Sequence, residues 1–372
     1  MTVRLPRTDA RAQRSDDRIC YIVINHRPLP GLLRLLRALR SQQPRATLVV
    51  HHDPSACPID AALVERETGA HVMMAPRPVK WGSFELTQAH WRVLDWATAN
   101  TQCHWFVLLS GQDYPVQPLK ALEDKLATTP ANAYMLALPY ASGDARERRD
   151  LHLRYWYRYF WRLDRQALSR VPAPLRPLAT KVRDGAANRV FSKEGRLYFY
   201  HLADGMGKVL GWRRRAVPYG EDFPLWKGSN WVTMDRKAAE ALQRFRTDHP
   251  QYVEHCRHTL LSDESATQTV LMNDPSLHVE LDLLHCMRWD DPPGPHPYLL
   301  TSADFDFLVA SGKPFARKFD AGVDADILDR LDDWLQSSPG AEINMREGIA
   351  GHSVLDEVGS SPIAGAGSHS SA

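Results

Sequence analysis

An α/β fold, with a mainly parallel, twisted sheet flanked by helices, is the class this sequence predicts. Two observations carry that prediction. Short apolar runs recur through residues 18–140, separated by segments whose apolar residues fall at helical spacing. Strands alternating with helices in this way build a parallel sheet covered on both faces. The second observation is that His, Asp, Asn and Arg gather directly after those runs. In open α/β sheets, ligands bind beyond the carboxyl ends of the strands.

The elements follow in order. Arg18–Asn25 (RICYIVIN) is a continuous apolar run, as expected of a strand buried on both faces. Pro28–Leu39 repeats Leu29, Leu32, Leu33, Leu35, Leu36 and Leu39 at helical spacing. Thr47–His51 is a second strand, Ile59–Glu67 a short helix and His71–Met74 a third strand. Ser83–Ala97 repeats the apolar residues Phe84, Leu86, Trp91, Leu94 and Trp96 at roughly helical spacing. His104–Leu109 is the fourth strand, Leu119–Leu126 a helix and Ala133–Leu138 the fifth strand.

The rhythm then breaks. Between Ala141 and Arg196 there are fourteen Lys or Arg against six Asp or Glu, and the aromatic, basic run Arg154–Arg162 lies inside. This reads as an amphipathic helix followed by a solvated, proline-rich basic loop, or else as a surface for an acceptor or a membrane. Further on, Lys227–Met234 reads as a turn entering a strand, Asp235–Phe245 as a helix, Asp304–Ser311 as a helix and Asp324–Leu335 as the last helix. The expected organisation is a flexible segment 1–17, one domain 18–336 and a disordered Gly/Ser/Ala-rich tail 337–372. Within the domain, 18–140 is the nucleotide-binding half, 141–226 the basic and aromatic insertion, and 227–336 the acceptor and catalytic half.

Composition excludes some classes. A net charge of +2 is too small to argue for nucleic acid. The N-terminal residues contain no apolar signal core, and no run approaches the roughly 18 apolar residues of a membrane span. The cysteines number five, an odd count without a C-x-x-C, which suggests a reducing compartment. Cytoplasmic localisation is therefore the expectation, with a peripheral membrane contact left open. Cys256, His258, His285 and Cys286 match no usual zinc spacing.

The candidate chemistry sits in loops. Asp53 ends the second strand, where an acid commonly takes ribose hydroxyls. The first loop, Asn25-His26-Arg27-Pro28, has no glycine, which argues against a dinucleotide. After the fourth strand stands Ser110-Gly111-Gln112-Asp113, one carboxylate where a metal-binding Asp-x-Asp would supply two. Asp113 is expected to fix its own turn with Ser110. If a diphosphate leaves here without a metal, cations must meet it, and Arg317 with Lys318 are suited to that. Finally, Ser262–Asn273 reads as a loop entering a helix, with Asp263 and Glu264 at the turn. The plain reading is two acids complementing the helix dipole behind a Ser262 cap. The sharper one makes Glu264 a general base.

Taken together, these residues resemble a known family. In order they are Asn25-His26, His51-His52-Asp53, Trp81-Gly82-Ser83, Leu109–Pro115, Gly228-Ser-Asn-Trp231, Asp263-Glu264 with Gln268-Thr269, and Ala316–Asp320. The series is similar to the core-2/I-branching enzymes, which include β-1,6-N-acetylglucosaminyltransferases and peptide O-xylosyltransferases. The resemblance implies a GT-A-like fold, a UDP-sugar donor as co-substrate with no cofactor, inversion and no metal. It implies Glu264 as base with Asp263 as its neighbour, and Asp53 at the uridine. On the donor side it implies His26, Trp81, Gly82, Arg317, Lys318 and His296. On the acceptor side it implies Trp289, beside Asn230 and Trp231 of its motif, and Arg154 of the basic, aromatic run is a further acceptor-side candidate. The acceptor would be a glycan, a lipid-linked glycan or a small molecule, and the sugar N-acetylglucosamine or xylose.

Two positions depart from the family pattern. No Arg stands near Pro295 or His296, where an upstream diphosphate ligand should fall, and His296, Arg317 or Arg288 would have to replace it. Asn230 occupies a position where xylosyltransferase relatives carry Asp. A non-catalytic UDP- or carbohydrate-binding protein on the same scaffold is the competing reading.

Overall fold

The computed structural model describes residues 19–163, 171–181, 195–202, 207–289 and 296–337. The expectations for segment 1–17 and for residues 338–372 lie outside the described residues. The first half runs β1 (Ile19–Asn25), α1 (Leu29–Gln42), β2 (Thr47–His52), α2 (Ala61–Thr68), β3 (His71–Met74), α3 (Phe84–Asn100), β4 (Trp105–Ser110), β5 (Asp113–Pro115), α4 (Leu119–Thr128) and β6 (Ala133–Pro139). Local chemistry sets several boundaries. Asp60 caps α2 by accepting from Leu63 N, and Gly69 ends it in the left-handed conformation.

The chain continues through α5 (Ala145–Tyr155), β7 (Tyr157–Leu163), α6 (Arg176–Lys181), β8 (Leu197–His201), β9 (Lys208–Arg213) and β10 (Trp226–Asp235). It ends with α7 (Arg236–Asp248), α8 (Pro250–Arg257), α9 (Ala266–Met272), β11 (Val279–Glu280), β12 (His285–Met287), α10 (Phe305–Ala310), β13 (Phe315–Arg317) and α11 (Asp326–Ser337).

The main sheet has seven strands in the order β11-β6-β10-β4-β1-β2-β3. β3, β2, β1 and β4 are parallel, while β10 runs antiparallel between β4 and β6. The expectation of an α/β fold with a mainly parallel sheet flanked by helices is met, with one reversed strand. Alternate residues of β1 enter different cores. Ile19, Tyr21 and Val23 pack with α1, α4 and α11, while Cys20, Ile22 and Ile24 pack with α3, α7 and α9. That two-sided burial is why RICYIVIN shows no polar alternation.

Two segments differ from expectation. The Arg154–Arg162 run is mostly a strand, not a helix: Tyr157 and Tyr159 are buried and Arg158 is not, a period of two. β7 joins β9 and β8 in a separate three-stranded sheet. Lys227–Met234 is no turn either. β10 passes straight through it, with a shift of register against β6 between Gly228 and Val232. A third small sheet, β12-β13-β5, had no sequence signal because its strands are three residues each.

Candidate active site

The carboxyl ends of β1, β2 and β4 lie side by side, since Asn25 pairs with His52 and Ile24 with Ser110. Asn25 is buried, and its side-chain amide contacts His52 Nδ1 at 2.9 Å and the Arg27 carbonyl at 2.9 Å. Gly111 permits that approach, because a Cβ there would stand 2.0 Å from Asn25 Oδ1. His26 is exposed at this rim. Asp53 is buried and accepts from Ser55 N, Ser55 Oγ and, through its other oxygen, Val79 N at 2.7 Å. Burial pushes the carboxyl up, but these donors outweigh it and hold it below its ordinary value. Asp53 therefore shapes the loop that leads to Trp81 and Gly82.

Asp113 stands at the turn after β4, fully buried. Ser110 donates to it from N at 2.8 Å and from Oγ at 2.6 Å, as the sequence suggested, and Trp231 Nε1 donates at 2.8 Å. His285 Nε2 and Arg317 Nε approach to 3.4 and 3.2 Å, without hydrogen-bond geometry. The Arg317 guanidinium stacks 3.7 Å from the centre of the Trp231 ring. Burial raises the Asp113 carboxyl, yet His285, Arg317 and Ser110 together lower it below the usual value. Arg317 and Trp231, expected at the donor and the acceptor, are thus engaged with Asp113 in the interior. Lys318, the next residue, is half-buried, and its carbonyl accepts from Leu300 N.

The acid pair is built differently from a capped helix. Ser262–Glu264 forms a 3-10 turn, and neither it nor α9 has a side-chain cap. The Ser262 hydroxyl meets Thr87 Oγ1 at 2.7 Å instead. Leu261, just before, has φ 50, a left-handed backbone that costs a non-glycine residue roughly 1–2 kcal/mol. Tyr155 holds it by donating to its carbonyl, and the Leu261 N–H donates to the Gly82 carbonyl. Gly82 itself has φ 71 and lies under Leu261. In α9, Gln268 donates to the Ser229 carbonyl and Thr269 Oγ1 bonds Trp226, tying the acid turn to β10. This accounts for the polar first turn.

The turn sends the two carboxylates in different directions. Glu264 Oε2 accepts from Arg154 Nη1 at 3.0 Å, with the Glu264 side chain 27% exposed and the Arg154 side chain 6% exposed. Arg154 also bonds Asp150 at 2.7 Å and the Tyr200 hydroxyl at 3.1 Å, and Tyr200 donates to Asp150. Arg154, expected at the acceptor, is instead the buried support of the candidate base. Asp263 is buried, and Asp263 Oδ1 has no partner. It lines a cavity of about 30 Å³ with Thr87, His90, Asn230 and Thr267, and Asn230 Oδ1 is likewise unpartnered. Burial first, and the neighbouring Glu264 second, push the Asp263 carboxyl up to about 7.

Other expected residues flank this arrangement. Trp81 and His296 meet edge to face at 5.9 Å between ring centres. Trp289 is half-buried beyond β12. Asp150, Tyr200 and Thr87 had escaped the sequence reading, and His285, weighed there only as a zinc ligand, lies beside Asp113 instead. Only Asp150 left a signal, four residues before Arg154 on one helix face. Among the described residues, no group of three His, Cys, Asp or Glu could hold a metal.

A family model described as "Branch: Core-2/I-Branching enzyme" matches residues 19–308. Among curated proteins, the chain is similar to two of Arabidopsis thaliana. It is 35% identical to beta-glucuronosyltransferase GlcAT14A over 127 residues, which are 33% of this chain and 27% of that protein. For GlcAT14B the identity is 34%, over 33% of this chain and 28% of that protein. The match thus spans about a quarter of the length of these relatives. Solved structures show looser likeness. Glucosyl-3-phosphoglycerate synthase from Mycobacterium tuberculosis, in complex with Mg2+ and UDP, is 18% identical with a TM-score of 0.26, covering 34% of this chain and 45% of that one. A 4-diphosphocytidyl-2C-methyl-D-erythritol synthase from Anaerococcus prevotii is 10% identical with a TM-score of 0.32, covering 71% and 88%.

Proposed function

The chain belongs to the core-2/I-branching enzyme family, and from that premise we propose that it is an inverting, metal-independent glycosyltransferase. It moves a sugar from a UDP-sugar to a hydroxyl of a glycan, lipid-linked or small-molecule acceptor, and needs no resident cofactor. The observation that carries this reading is the state of Glu264. Arg154 fixes one carboxylate oxygen from the buried side, and among the described residues no protein donor reaches the other.

Glu264 takes the acceptor hydroxyl proton as that oxygen bonds to the anomeric carbon. The bond from that carbon to the diphosphate oxygen breaks on the opposite face, and UDP leaves. General-base help contributes about 10²–10⁴-fold, and in-line placement of the substrates supplies up to roughly 7–11 kcal/mol. Lys318 and His296 are the groups assigned to the leaving diphosphate. Asp113 supports the metal-independent reading, because Ser110 and Trp231 already donate to its two carboxylate oxygens and Arg317 lies 3.2 Å from one of them. Both curated relatives are named for glucuronosyl transfer. UDP-glucuronic acid therefore ranks first as donor, ahead of UDP-N-acetylglucosamine and UDP-xylose.

The test is UDP release from these three donors in excess EDTA. One donor is expected to turn over, and Glu264→Gln to lower its transfer by roughly a hundredfold or more with UDP affinity unchanged. Full activity of that variant would remove Glu264 as base. Strict dependence on Mg²⁺ or Mn²⁺ would overturn the metal-free mechanism. UDP binding without release would make the protein a binding module.

A further inference from the structure

Behind the acid turn, between β10, α3 and α9, lies the cavity of about 30 Å³ that Asp263 lines. Its sheet side is apolar, with Ile22, Phe106, Val232 and Met234. Its other side is polar, with Asp263, Asn230, Thr87, His90 and Thr267. Asp263 is 9% exposed, and its Oδ1 and the Asn230 Oδ1 are both buried atoms without a hydrogen-bond partner among the described residues. Two acceptor oxygens therefore share one small space. A buried acceptor bears its full desolvation cost unless a donor reaches it.

The lining holds donors placed for a molecule between these groups. Thr267 Oγ1 accepts from Trp91 Nε1 at 3.0 Å. That bond uses a lone pair of the oxygen, and the Thr267 proton has no other acceptor among the described residues. Thr87 and Ser262 satisfy each other at 2.7 Å. His90 is held neutral, because burial first and His51 second push its imidazole down to about 3. A neutral imidazole offers one donor and one acceptor. A water carries two protons and two lone pairs. It can donate to Asp263 Oδ1 and to Asn230 Oδ1 while accepting from Thr267. A buried water needs roughly 10–15 Å³ of such space and 2–4 polar partners, and this cavity meets both conditions.

We propose that the cavity holds one structural water, bonded to Asp263, Asn230 and Thr267, which fixes the direction in which the acid turn presents Glu264. The other two residues of the turn are held by direct bonds, Ser262 by Thr87 and Glu264 by Arg154. Asp263 Oδ1, between them, is the atom that no protein donor reaches. The water ties it to β10 through Asn230 and to α9 through Thr267. A protonated Asp263 donates to the same water, so both charge states of the carboxyl fit the site. Thr267 is then a positioning residue, acting on the base through the water and Asp263. That role rests on the transferase reading, whereas the water does not.

A crystal structure of the full chain, at a resolution that shows ordered water, tests the site. One water is expected within about 2.7–3.2 Å of both Asp263 Oδ1 and Asn230 Oδ1. A dry cavity, a cation in it, or an Asp263 side chain turned out of it would overturn the proposal. Kinetics test the role, with whichever donor the wild type turns over and well below each variant's melting midpoint. Thr267→Val keeps the shape and removes the hydroxyl. Its kcat should fall roughly ten- to hundredfold, as a small misplacement of a reacting group does, with the donor KM unchanged. Thr267→Ser returns the hydroxyl and should recover kcat. Wild-type kcat in Thr267→Val, or no recovery in Thr267→Ser, would remove the positioning role. A wild type that releases UDP from no donor would sink the transferase reading and the positioning role with it, and the crystal would still decide the water.

Discussion

Arg154 shows how much a single side chain depends on its surroundings. In the sequence it heads a basic, aromatic run and reads as surface. In the fold its guanidinium is buried, and Tyr200, Asp150 and Glu264 outweigh the burial that would otherwise lower its pKa, which is instead raised. Removing one partner of a buried pair costs about 3–5 kcal/mol, because the other charges stay behind. Arg154→Met should therefore lose about that much stability in urea unfolding and lose transfer as well. Arg154→Lys keeps the charge but not the planar fork, and should recover part of the stability and little of the activity.

Asp263 is the second case at this scale. Its folded pKa, about 7, lies above the ordinary 3.8. The folded state then binds the proton more tightly than the unfolded one, so stability falls as pH rises between those values and is level above. Asp263→Asn removes the penalty. Its melting midpoint should rise above that of the wild type increasingly from pH 4 to 7, with a plateau beyond. At 1.36 kcal/mol per pKa unit the plateau corresponds to at most roughly 4 kcal/mol. A pH-independent difference would show that Asp263 does not titrate in this window.

Among the elements, Asp113 has the widest reach. From β5 it contacts the β4 end through Ser110, β10 through Trp231, β12 through His285 and β13 through Arg317. A carboxyl lowered by these groups contributes stability above its unfolded pKa and loses it as pH falls through the folded value. Asp113→Ala should cost about 3–5 kcal/mol at neutral pH, measured by urea unfolding, and the deficit should shrink below about pH 4. Elements differ in how legible they were. β1 to β4 and β6 were readable because each is a short apolar run bounded by turn residues, and α1 because its leucines keep helical spacing. β7 was not, since every position in Tyr157–Arg162 is aromatic or basic, and exposed rings at Phe160 and Trp161 hide the alternation of buried and open positions. β5, β12 and β13 were invisible because three residues have no period to read.

At the scale of the whole molecule, the candidate site joins residues from Asn25 to Lys318 along one edge of a seven-stranded sheet. Two cores, one on each face of β1, make that edge rigid. The insertion between β6 and β10 folds into a second sheet. Its inner face reaches Arg154 through Tyr200, and Arg154 in turn holds Glu264. By itself, the sequence determined the α/β class, the family and the position of the acid pair at the turn Ser262–Glu264. These are local facts, written in apolar spacing and in the order of short motifs. Only the tertiary structure decided which charges meet: that Arg154 supports Glu264, that Arg317 and Trp231 belong to Asp113, and that Asp263 faces a cavity. A buried charge takes its partners by distance and desolvation in three dimensions, and the spacing of residues along the chain carries neither quantity.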